Sequence, residues 1–310
     1  MGKNDRKRGT NLTVKQYAAS QAHASARSNA RRPKRSSWTV PLYATAVVVL
    51  IIVVLVVAST LKSSPKQATS KTSAQTLATI TKDLRNVPTA VLNSVTSKST
   101  VGIVEGPAAV KGTSPLLFSS SDTKPGVLYV GAEYCPYCAA ERWPLVIALD
   151  RFGSFTGLST TRSSSTDKYP NTATLSFRNA VYTSAYLNFQ SVETTTNVPN
   201  ASGTGYTTLQ TPTKFENTLL TKYDAGQSIP FLDIDNLFAS IGSNYSPATL
   251  KGYTQLEIAT SIFDPTSPFA SVLAPSVVGA ANDITKALCQ ATKQQPSNVC
   301  NSPSVKNATA

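Results

Sequence analysis

Cys135-Pro136-Tyr137-Cys138 is the part of the chain whose residue types and spacing point most directly to chemistry. Two cysteines at this spacing at the start of a helix can exchange a disulfide with an external thiol or disulfide. A bridge between them closes a loop too small to add much chain-entropy stabilisation, so reactivity explains the pair better than stability does. With Cys135 at the N-cap, its sulfur faces unpaired amide N–H groups and the positive end of the helix dipole, which favours thiolate over thiol. Cys138, one turn inside, is then placed to attack the mixed disulfide that Cys135 forms and release the partner. Pro136 suits the first turn, where its missing N–H is not needed and its φ is already helical.

Two structural readings compete, half of a zinc site and a permanent bridge. Tetrahedral zinc wants four ligands, but His23 is the only histidine and the remaining cysteines, Cys289 and Cys300, do not form a second CXXC. No metal or cofactor is expected. The lack of histidine beyond His23 also excludes Ser-His and Cys-His catalysis for the main domain. Cys289 and Cys300 pair naturally by position, with Gln294–Asn298 supplying the turn between them, and are expected to form a structural disulfide. Their functional alternative is an electron relay to Cys135 and Cys138.

The elements that must position the motif are legible around it. Gly126–Ala132 is a short apolar run behind the breaker pair Pro125-Gly126, as a buried strand requires. After Cys138 the apolar periodicity predicts a helix to Phe152, closed by Gly153 and interrupted by Pro144. Residues 154–212 are Thr- and Ser-rich and read as a β-rich insertion. A helix is expected over 213–223, then a hairpin with strands 229–234 and 237–241 around Asp235-Asn236, then helices over 256–263 and 270–288. Leu77, Ile80 and Leu84, then Val91, Leu92 and Val95, predict two short helices before the main domain, separated by Pro88. Tyr134, Tyr137 and Trp143 could form an aromatic rim that docks substrates; packing is the alternative. Glu133 and Glu141 read as a solvated loop acid and a first-turn helix acid, and Arg142 as a surface charge.

The formal charge of +13 is concentrated at the start: residues 1–38 hold ten Lys and Arg against one acid, leaving the rest at about +4. This basic leader stops just before Val40–Ala58, an uncharged apolar run that nearly spans a ~30 Å hydrocarbon core at ~1.5 Å per residue. A transmembrane helix over 38–61 is therefore expected, in contact with membrane lipid, with Trp38 and Tyr43 at the interface and the basic end cytoplasmic. A cleaved signal peptide and an organellar transit peptide are the alternatives. On the first reading, residues 1–37 are a disordered cytoplasmic tail, 62–75 a polar linker, 76–303 an extracytoplasmic domain and 304–310 a flexible tail. No nucleic-acid partner is expected.

Gly131-Ala-Glu-Tyr-Cys-Pro-Tyr-Cys138 resembles the strand-to-helix junction of the thioredoxin superfamily, and its Pro-Tyr dipeptide is similar to that of glutaredoxins. The run through Ala139-Ala-Glu-Arg-Trp143, the segment Ser163–Pro170 and the Cys289 to Cys300 tail resemble a family of membrane-anchored thioredoxin-like proteins, domain of unknown function 929. The resemblance implies an α/β, thioredoxin-like fold with an N-terminal helical extension. It also implies a cis-proline across from the motif, for which Pro230 is the best match. Thioredoxins carry a buried Asp six residues before the first motif cysteine, and here that position is Tyr129. The expected function is a membrane-anchored thiol-disulfide oxidoreductase acting on secreted or membrane protein thiols and disulfides, with an unidentified redox partner. A redox-inert binding or assembly module with a structural CXXC bridge is the alternative.

Overall fold

The structure, a computed structural model, describes residues 70–95, 105–112 and 114–310, except for the side chains of 70–72. The basic leader, the expected transmembrane run over 38–61 and residues 62–69 of the expected linker lie outside the described residues, whereas 70–75, also expected as linker, are the start of a helix. Among the described residues no helix is long and apolar enough to cross a membrane. In chain order the elements begin with helices α1 (Ser70–Arg85) and α2 (Thr89–Ser94), strands β1 (Ala108–Ala109) and β2 (Gly126–Gly131), and helix α3 (Pro136–Asp150). Strands β3 (Gly153–Thr156), β4 (Ser159–Arg162), β5 (Ala173–Ser176), β6 (Val181–Ser184), β7 (Asn188–Glu193), β8 (Thr195–Pro199) and β9 (Tyr206–Thr208) follow. Then come α4 (Lys214–Tyr223), β10 (Phe231–Ile234), β11 (Phe238–Ile241), a 3-10 turn (Pro247–Leu250), α5 (Gln255–Phe263), α6 (Ala270–Ala291), α7 (Ser297–Cys300) and α8 (Pro303–Lys306).

β2 has no polar residue and is buried at every position, so it must lie inside a sheet covered on both faces. It does: the mixed five-stranded sheet runs β1-β11-β10-β2-β7. β10 pairs antiparallel to β2, with Phe231 opposite Val130, and β7 pairs parallel to it, with Gly126 opposite Asn188. The period of two divides β2 between two cores. Val127 and Tyr129 join α3 and α6 on one face, and Leu128 and Val130 meet Leu219 and Leu220 of α4 on the other. In the three-residue β10–β11 connection, Asp235 and Asn236 take φ of 54°, a left-handed conformation that Asp and Asn tolerate in turns.

The expected insertion over 154–212 needs correction, because β7 inside it is a strand of the main sheet. A parallel partner is reached by a long crossover, so no local turn marks it in the sequence. What stands outside that sheet is the stretch carrying the small β3–β6 and β4–β5 pairs, and the β8–β9 pair beyond β7. α3 is buried from Cys138 to Leu149, since the sheet covers one side and α6 another. It continues through Pro144 as one helix to Asp150.

The C-terminus is folded onto this core. Cys289 and Cys300 form a disulfide, both nearly without exposed surface, which fits a structural tie and not an exposed relay. Residues 304–310, expected as a flexible tail, are packed instead. Ser304 and Val305 are buried, Lys286 Nζ donates to the Ala308 carbonyl at 2.7 Å, and Thr309 is bound to Asp283. Arg151, at the α3 C-cap, donates to Asn282 and Thr285 of α6 and to Ser302 and Ser304, which fastens the tail to the helix pair. The bridged cysteines are 11 apart in sequence, so replacing both with serine should remove about 3 kcal/mol of stability in the chain-entropy model. Thermal unfolding of the Cys289→Ser/Cys300→Ser chain checks this; unchanged melting with lost exchange activity would make the pair a relay.

Candidate active site

Cys135 caps α3 with extended backbone, and its Sγ accepts a hydrogen bond from the Cys138 amide at 3.2 Å. Both cysteines are free thiols. Hydrogen bonding from the Cys138 thiol and amide, helped by the Arg142 charge, holds the Cys135 thiol below its ordinary pKa against the effect of burial. Burial, followed by the neighbouring Cys135 sulfur, pushes Cys138 well above its ordinary range. The outer sulfur is therefore the more readily ionised of the two, and the inner one the more reluctant.

Pro230 lies directly across from the motif: the Ile229–Pro230 peptide is cis, and the Ile229 carbonyl stands 3.8 Å from Cys135 Sγ. Tyr134 stacks on Tyr206 of β9 with ring centroids 4.3 Å apart, and the Tyr206 hydroxyl bonds Ser164 Oγ at 2.6 Å. Ser164 also donates its amide to the Tyr134 carbonyl, so the 163–170 segment and β9 together wall the motif. Tyr137, 39% exposed, meets Tyr169 edge-on at 5.9 Å. Trp143 does not belong to this rim. It is wholly buried in the core, with Nε1 donating to the Ala173 carbonyl at 3.0 Å, so packing and not docking is its role.

The charged residues around the motif also differ from expectation. Glu133 is buried and accepts from Ser176 Oγ at 2.7 Å. Glu141 has no exposed surface; Oε2 accepts the Asn244 amide at 2.9 Å, Oε1 has no partner, and burial pushes its pKa up to about 8. Arg142 is fully buried, with Nε and Nη2 forking onto Glu193 at 2.8 and 2.6 Å and Nη2 also reaching the Ala132 carbonyl at 2.8 Å. Arg142, expected as a surface charge, is enclosed because Glu193 arrives from β7 to pair with it. Tyr129 is buried beneath the motif, its ring 5.8 Å from the Arg142 guanidinium carbon and its hydroxyl against Gly131. A Cβ at Gly131 would run into the Tyr129 hydroxyl, so a side chain there would force the buried Tyr129 ring to move.

Residues 113–290 match the family described as a domain of unknown function, DUF929. The chain belongs to this family. The DUF929 match contains the motif, the Arg142–Glu193 pair and Pro230, and reaches Cys289. Among curated proteins and among solved structures, nothing matches the chain. Of the groups gathered at this DUF929 site, sequence reasoning did not find Ile229, Tyr169, Glu193 or Tyr206. Glu193 and Tyr206 sit in Thr-rich sequence whose local pattern gives no hint of distant partners, and a carbonyl such as that of Ile229 leaves no residue-type signal at all. Among the described residues no cluster of His, Cys, Asp or Glu could hold a metal ion.

Proposed function

We propose that this chain is a thiol-disulfide oxidoreductase of thioredoxin-like architecture, with Cys135 as nucleophile and Cys138 as resolving thiol. The observation that carries the reading is the asymmetry of the pair: an outer sulfur bonded to a helix-start amide, and a fully buried inner thiol one turn below it. The sequence of β2, α3 and a parallel β7, followed by the antiparallel β10–β11 hairpin and α6, supports the thioredoxin-like reading.

In the reaction, the Cys135 thiolate attacks one sulfur of a protein disulfide, forming a mixed disulfide and expelling the other sulfur as a thiolate. Cys138 then gives up its proton to an expelled thiolate and attacks Cys135 Sγ. The second substrate sulfur leaves, so that two electrons have moved from the dithiol to the substrate. Run backwards, the same steps oxidise a protein dithiol. Pro230 and the Ile229 carbonyl line the face from which an incoming chain must approach, and Tyr134 and Tyr137 flank it. Substrates are proposed to be secreted or membrane proteins, because the Cys289–Cys300 disulfide fits an oxidising compartment and the basic leader with its apolar run fits a single-pass anchor.

The low exposure of Cys135, 5%, favours a second reading, a redox-inert binding module whose CXXC never meets substrate. Equilibration of the full-length chain with glutathione redox buffers decides between them. An exchanging pair should titrate well above roughly −300 mV, whereas a structural bridge should lie below it.

A further inference from the structure

We infer that Arg142, clamped by Glu193, is a positioning residue that supplies the counter-charge of the Cys135–Cys138 dithiol and so sets the balance between its reduced and oxidised forms. The inference rests on the oxidoreductase reading and adds to it the group that tunes the site.

Arg142 follows Cys138 by one helical turn, so the two side chains share a face of α3. Its Nη2 holds the Ala132 carbonyl at 2.8 Å, and Ala132 packs with Cys135 and Cys138 in one small buried cluster. The guanidinium is thus fixed against the loop that carries the motif. Glu193 occupies Nε and Nη2, while Nη1 is buried with no hydrogen-bond partner, which leaves positive charge on one edge of the fork uncompensated. A fully buried ion pair is a poor source of stability compared with apolar residues of the same volume, so stability alone is a weak reason for it here. Tyr129 and Tyr134 are titratable groups beside the sulfurs, and burial raises the pKa of both phenols. Arg142 draws the pKa of both thiols down.

The redox consequence follows from charge. Once Cys135 ionises, the reduced form carries a thiolate beside the Cys138 thiol, whereas the disulfide is neutral. Its formation sends two electrons to the substrate disulfide and the Cys138 proton to the expelled sulfur. A fixed cation stabilises the charged form alone, so it favours the reduced pair and makes the disulfide a stronger oxidant.

The test uses the full-length chain with three variants, reading the Cys135 thiolate by its ultraviolet absorbance against pH and the dithiol–disulfide equilibrium against glutathione. Arg142→Met/Glu193→Gln removes both charges and leaves no lone buried ion. It should raise the Cys135 pKa by about one unit and shift the equilibrium about tenfold toward the disulfide. Glu193→Gln alone, which frees the cation, should move both quantities the opposite way, and Arg142→Lys should stay close to the parent chain. Shifts of the same sign in the double variant and in Glu193→Gln, or no shift in either, would make the pair merely structural. If the double variant does not fold, the sign of the Glu193→Gln shift and the retention of the parent values by Arg142→Lys still decide. Should the parent chain fail to equilibrate with glutathione at all, the oxidoreductase reading falls, while the thiolate titration still tests Arg142.

Discussion

Cys135→Ser is expected to reduce disulfide exchange by the full-length chain to the uncatalysed background, whereas Cys138→Ser should accumulate mixed disulfides with its substrates. The difference comes from position. Only Cys135 has its sulfur at the helix start, bonded to the Cys138 amide and held below the ordinary thiol pKa. Without it there is no thiolate to open the substrate bond. Without Cys138 the first attack still proceeds, but nothing expels the captured sulfur. The pH dependence has a definite sign: alkylation of Cys135 should reach half its maximal rate below the ~8.5 of a free cysteine, and Cys138 should react only well above it. Equal alkylation rates of the two thiols through neutral pH would sink the assignment.

The motif was legible because its signal is local. A strand without polar residues, an N-cap cysteine, a first-turn proline and an apolar helix lie in one run, and the structure keeps them in that order. The β10–β11 hairpin was legible for the same reason, its turn being marked by Asp235-Asn236. Three misreadings share a different cause. β7 was assigned to an insertion, Arg142 to the surface and Glu133 to solvent, and each is corrected by a partner far away in sequence: β2 for β7, Glu193 for Arg142, and the Ser176 hydroxyl for Glu133. The rule that charges stay outside fails where another element arrives to pair or enclose them. Trp143 was misread because aromatic residues near a reactive motif look alike in sequence whether they point out or in, and only the covering of α3 by the sheet and α6 separates it from Tyr137.

Glu141→Gln should stabilise the fold, and by more at alkaline than at acid pH. Glu141 lies one turn beyond Cys138 on α3, wholly enclosed, with one oxygen on the Asn244 amide and the other without a partner. Burial lifts its pKa from 4.5 to about 8. Below the unfolded value both states are protonated and the residue is neutral in its effect. Between the two values the unfolded chain releases the proton while the folded chain retains it, so stability falls as pH rises; above about 8 the loss is complete. The full difference corresponds to on the order of 5 kcal/mol. Asp150 and Asp233, each pushed up to about 6 by burial, add falls of the same sign at lower pH. Glutamine keeps the acceptor for Asn244 and removes the ionisation. Denaturant unfolding of both chains should give nearly equal stabilities at about pH 5 and a gap of a few kcal/mol in favour of glutamine at about pH 8. A gap of the same size at both, or a less stable variant at pH 8, would mean that Glu141 ionises in the fold with a partner that its enclosure between α3 and the Asn244 loop does not supply.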